Sequence, residues 1–131
     1  MSVSSRAGIS SPALNPEIEK RIADYGARVR VGFPFWLRIF LVANVAAITL
    51  GRRVYVSPRI AEASLERFER LLRHELAHVR QVRDLGLMRF LYRYMRDYIR
   101  LRRSGLTSHL AYMAIPFEIE ARDEERSDEV V

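Results

Sequence analysis

Apolar spacing along the chain changes period three times. Residues 1–16, rich in serine with Pro12 and Pro16, hold too little apolar material to pack and are expected to form a flexible leader. From Pro16, Ile18, Ile22 and Tyr25 recur at helical spacing up to Gly26, which predicts a short first helix. The pattern then turns β-like. Arg28-Val29-Arg30-Val31 alternates, and Ile48-Thr49-Leu50 is separated from Val54-Tyr55-Val56 by Gly51-Arg52-Arg53, predicting a hairpin or meander closed by Pro58. Helical period returns from Ala61 to about Asp84, with Leu65, Phe68, Leu72, Leu76 and Val79 on one stripe. After Gly86, a second long helix is expected from Leu87 to Arg103, its apolar face made by Leu87, Leu91, Tyr94, Met95, Tyr98 and Leu101. A third runs from Thr107 to about Glu125, interrupted or restarted at Pro116. The expected class is α+β, mainly helical with a small sheet packed on the helix of residues 61–84. Residues 17–123 are read as one domain and 124–131 as a tail too acidic to pack.

Composition narrows the chemistry. With 131 residues, 49% hydrophobic and 29% charged, the chain has the make-up of a single globular domain. It has no cysteine, which excludes thiolate-held metal and fits a reducing compartment. The apolar stretch Phe35 to Leu50 contains Arg38 and Asn44, and its charge-free part falls short of the roughly 18 residues a spanning helix needs, so buried core is expected. The N-terminus lacks a basic segment followed by an apolar run, and a cytoplasmic location is the expectation.

Charge is divided along the chain. The net charge is +6, but residues 118–131 carry seven acids and two arginines, leaving 20 bases against nine acids before them. Arg89, Arg93, Arg96, Arg100 and Arg103 follow at steps of four and three, which sets them on one helical face. Such a face is ordinarily just solvated, but it also suits nucleic acid, an anionic membrane, or the acidic tail from Asp123 to Glu129, whose alternative use is to set a carboxylate on a metal.

The three histidines are His74, His78 and His109. At 100° per residue, His74 and His78 lie about 40° apart on their helix, so both imidazoles can meet one ion. Glu75 lies about 100° from His74, placed to act as general base on a water at the ion. The apolar stripe centres about 140° away, leaving the helix an apolar back and a chemical front. Neutral imidazoles suit zinc, and a catalytic zinc commonly takes three protein ligands. Glu118, Glu120, Asp123 and His109 are the candidates for the third.

The sequence His74-Glu75-Leu76-Ala77-His78, with apolar Leu71, Leu72 and Val79 around it, resembles the zincin metallopeptidase signature. Glu118-Ile119-Glu120-Ala121 is similar to the Glu-x-Glu-Ala-Asp element of gluzincins, in which the first Glu is the third zinc ligand. The resemblance covers roughly residues 70 to 122 and implies one Zn²⁺ held by His74, His78 and Glu118. It also implies a minimal peptidase domain that hydrolyses peptide bonds with a water activated by Glu75. The family's supporting Asp falls at Arg122 here, which leaves that role to Asp123 or Glu120. The resemblance further implies a substrate-binding edge strand, at Arg53, Val54, Tyr55 and Val56, while Tyr112 and His109 are candidates for stabilising the oxyanion. The alternative is a basic protein binding nucleic acid or a membrane surface, with a structural or vestigial metal.

Overall fold

A computed structural model describes residues 14–34 and 46–126. Of the expected leader, residues 1–13 lie outside the described residues, while residues 14–16 belong to the fold. Leu14 is buried, the Asn15 amide donates to Glu69 Oε2 at 2.6 Å, and the Asn15 side chain caps α1 (Pro16–Tyr25) by accepting from the Glu17 amide. Pro16 fits the first helical position because its missing amide proton would have no partner there, and Gly26 ends the helix in left-handed backbone at φ 63°.

Three short strands follow: β1 (Arg28–Val31), β2 (Ala47–Leu50) and β3 (Arg53–Val56). β2 and β3 form the expected hairpin, antiparallel with Ile48 opposite Tyr55, and Gly51 takes the positive φ that its tight turn requires. β1 pairs in parallel with the far side of β3, so the sheet order is β1-β3-β2 and the three strands are not a meander. This order corrects one site expectation. Arg53–Val56 is the central strand, its backbone groups shared between two neighbours, and it offers no free edge; among the described residues the edge on that side is β2. Of the apolar stretch read as core, residues 35–45 lie outside the described residues, while Ala47, Ile48 and Thr49 are only partly buried.

The helix expected from Ala61 is two. α2 (Pro58–Ala63) stops where Ser64 turns extended, and the Ser64 hydroxyl then caps α3 (Leu65–Leu85) by accepting from the Arg67 amide at 3.1 Å. α3 is the hub, touching α1, α2, β2 and β3 on one side and α4 (Leu87–Arg103) and α6 (Pro116–Glu125) on the other. Its buried stripe of Phe68, Leu72, Leu76 and Val79 meets Ile18 and Ile22 of α1 and Val29, Val54 and Val56 of the sheet in one core; Leu65, at the helix start, is exposed. The small sheet thus packs on the back of the helix that carries the histidines, and the class is α+β.

α5 (Ser108–Ala114) and α6 are divided at Pro116, as expected, because the residue before proline is driven out of helical backbone: Ile115 has ψ 127°. Two readings change. In α4 only Phe90 is buried, and Leu87, Leu91 and Met95 of the expected apolar face are exposed. Of the tail expected from 124, Glu124 and Glu125 belong to α6 and are partly buried, and residues 127–131 lie outside the described residues. No described helix is long and apolar enough to cross a membrane.

Candidate metal centre

The front of α3 and the first turn of α6 bring His74, His78 and Glu118 together, with one ligand atom from each lying within 4.8 Å of the others. Both Nε2 atoms converge on one oxygen, Glu118 Oε1, at 3.1 Å from His74 and 3.3 Å from His78. All three side chains are close to fully buried.

The outward nitrogens determine how the imidazoles are protonated. His74 Nδ1 lies 2.8 Å from Glu125 Oε1, a carboxylate that only accepts, so Nδ1 is the donor. His78 Nδ1 lies 2.9 Å from Gln81 Oε1. The Gln81 amide cannot be reversed, because its Nε2 donates to the Phe117 carbonyl at 3.1 Å and to Glu120 Oε1 at 2.7 Å. Both Nε2 lone pairs therefore point at a carboxylate oxygen that is itself an acceptor. Three acceptors around one point need a cation between them or protons on the rings.

The electrostatics follow from this crowding. For both imidazoles burial favours the neutral ring, but hydrogen bonding to Glu118 and the charges of Glu118 and Glu75 outweigh it, and both pKa values lie above 6.5. Burial likewise favours the neutral acid at Glu118, yet hydrogen bonds from His74, His78 and Tyr94 hold it well below the usual carboxylate range. Tyr94 donates to Glu118 Oε2 at 2.7 Å and Tyr112 to Oε1 at 3.2 Å. Burial and the Glu118 charge push both phenols up, so they remain protonated donors.

These shifts have opposite consequences for stability. Glu118, with its pKa lowered, stabilises the metal-free fold above pH 4.5 and loses that effect as pH falls through its folded value; the histidines stabilise below 6.5 and lose theirs as pH rises through the raised values. The melting temperature of metal-free protein is expected to drop as pH rises above 6.5 through the raised values, and zinc, which needs neutral rings, should reverse the drop. Zinc affinity should in turn weaken on acidification, beginning above pH 6.5. Calorimetric scans with and without zinc test both signs.

Glu75 is buried and faces the same cleft, one of its oxygens accepting from Thr49 Oγ1 of β2 at 2.5 Å. The cleft, of about 700 Å³, is lined by β2, the front of α3, Phe90 and Tyr94 of α4, Tyr112 and Glu118. His74 and His78 also line it.

Of the four residues weighed as third ligand, Glu118 alone lies in the cluster. Glu120 pairs with Arg80 at 2.6 Å and holds Gln81, Asp123 is exposed, and His109 is exposed on α5 and does not line the cleft. His109 is thereby corrected as an oxyanion candidate. Tyr112 is brought to the centre, and so is Tyr94, which its spacing assigned to an apolar face. The support missing at Arg122, whose guanidinium bonds the Met113 carbonyl, is supplied by Glu125, seven residues after Glu118 on the same helical face. Gln81 does the same for His78. The described start of the acidic tail goes to this centre and to Arg21 and Arg80, not to the arginines of α4. Replacing Gln81 with Leu, or Glu125 with Ala, should weaken zinc binding about 10–100-fold, measured by chelator competition, with the helical circular dichroism retained.

A family model described as the eCIS core domain matches residues 39–86. Neither the curated proteins nor the solved structures contain a significant match. Over less than half of its length, the part holding the β2–β3 hairpin, α2 and the helix with His74, Glu75 and His78, this chain is similar to an eCIS core domain, and Glu118 lies beyond the matched stretch.

Proposed function

We propose that the chain is a zinc-dependent hydrolase that cleaves peptide bonds. The observation that carries this reading is the convergence of His74 Nε2, His78 Nε2 and Glu118 Oε1 on one point, with the outer nitrogens tied back so that the lone pairs face inward. Two imidazoles and a carboxylate suit zinc, and three protein ligands beside an open cleft match a catalytic rather than a structural site, which usually has four. A bound zinc would supply Lewis-acid polarisation of a carbonyl and lower the pKa of a water.

The chain's own residues take the remaining roles. Glu75, oriented by Thr49, accepts the proton of the attacking water and passes it to the leaving nitrogen. Tyr112 and Tyr94, protonated and aimed into the centre, are the donors nearest to developing negative charge. An extended substrate would add to the outer edge of β2, whose residues Ala47 to Leu50 border the cleft, and backbone pairing there would make binding tolerant of sequence. The likeness to the eCIS core domain over residues 39–86 adds no activity to this reading.

Metal analysis and a protease assay test the reading together. The purified protein should hold about one zinc per chain and degrade an unfolded protein such as casein, with activity lost to a chelator and regained with zinc. Zinc bound tightly with no cleavage of any peptide would leave a structural metal in a basic binding protein.

A further inference from the structure

The helix α4 uses only one side to join the fold. Phe90 is buried against Phe117 and His78, with Tyr94 and Leu101 partly covered on the same side. Opposite them, Met88, Tyr92, Met95 and Ile99 recur at steps of four, three and four and stand in solvent, with Met88 76% and Tyr92 67% exposed. Leu91 widens this second apolar stripe, and Arg89, Arg93, Arg96, Arg100 and Arg103 run along one flank of it. Asp97 is the only acid in the helix.

We propose that α4 is an interfacial helix that seats this face on an anionic lipid surface. Charge complementarity selects the occupant: arginines beside an exposed apolar stripe match phosphate headgroups above acyl chains. A nucleic acid would pair with the arginines but leave Met88, Met95 and Ile99 in water. A second copy would bring its own arginines to the same seam, with Asp97 alone to oppose them. A neutral partner helix could cover the apolar stripe but would leave the flanking arginines unmatched, and among the described residues every side chain lining this surface belongs to α4, so no second element shapes it for a particular protein.

Sedimentation with vesicles tests the assignment. The full chain should pellet with vesicles containing phosphatidylserine and not with phosphatidylcholine alone. Arg93→Ser and Arg100→Ser should each weaken binding about fivefold, and the pair Met88→Ser with Met95→Ser about tenfold. All four side chains are exposed, and zinc binding by each variant should match the parent. Failure to pellet with the anionic vesicles, equal binding to both vesicle types, or binding unaffected by the two methionine changes overturns the proposal. So does duplex DNA bound more tightly than the vesicles, which would assign the arginines to nucleic acid, or a dimer in light scattering that the methionine changes dissolve.

Discussion

Replacing Glu75 with Gln should leave zinc at the parent stoichiometry and lower peptide hydrolysis by about 10²–10⁴-fold, the usual contribution of a positioned general base. Glutamine keeps the length and the carbonyl oxygen that Thr49 Oγ1 bonds, so the side chain stays oriented in the cleft. Only its basicity is lost. Glu75 is not part of the converging cluster, and the ligands keep their supports from Gln81 and Glu125, which is why metal content should not follow activity. Thr49→Val separates orientation from basicity: it retains the carboxylate, frees it to rotate, and should cost far less than Glu75→Gln. A Glu75→Gln protein that holds zinc and cleaves at the parent rate would remove Glu75 from the reaction.

The first half of this site was legible because helical geometry is short-range. His74, Glu75 and His78 occupy one helix, and their relative directions follow from 3.6 residues per turn whatever the rest of the chain does. The apolar back of that helix was readable for the same reason, and it is the back that packs on α1 and the sheet. Partners from other elements carry no such periodic signal. Thr49 looks like an ordinary strand residue until β2 is laid beside α3, and Tyr94 is indistinguishable in spacing from the core-facing side of α4. Gln81 and Glu125 had a faint local sign, each lying seven residues after a ligand on its own helix, but only the packing of α6 on α3 shows what they touch.

The edge strand expected at Arg53–Val56 failed for a cause that is also long-range. A hairpin is signalled by its own turn at Gly51, so β2 and β3 were visible as a pair. Which of the two receives a third strand depends on where β1 pairs, and its parallel pairing with β3, rather than with the next strand in the chain, leaves no turn signature. With β1 on the far side of β3, the edge facing the metal centre passes to β2. The same strand then supplies Thr49 to Glu75 and, among the described residues, the sheet edge that borders the cleft, so under the proposed function orienting the base and holding a substrate depend on one element.

Glu118→Gln should weaken zinc binding by more than the approximately 10–100-fold expected for losing an outer partner, because it removes a ligand and the only negative charge in the cluster. The neutral amide is nearly isosteric: its oxygen can take the place of Oε2 and accept from Tyr94, while its NH2, at the Oε1 position, faces the two Nε2 atoms, so the fold should persist. With that charge gone, the raised imidazole pKa values should fall, and the loss of metal-free stability as pH rises above 6.5 should flatten. Glu118→Ala should lose zinc equally but destabilise further, by about 1.5–3 kcal/mol for the charged hydrogen bond from Tyr94 alone. Glu120→Gln is the decisive comparison. Its carboxylate reaches the centre only through Gln81 and is otherwise occupied by Arg80, so zinc affinity should change little. Competition with a chromophoric chelator orders the three variants, and an affinity lost in Glu120→Gln but kept in Glu118→Gln would move the third ligand to the neighbouring glutamate.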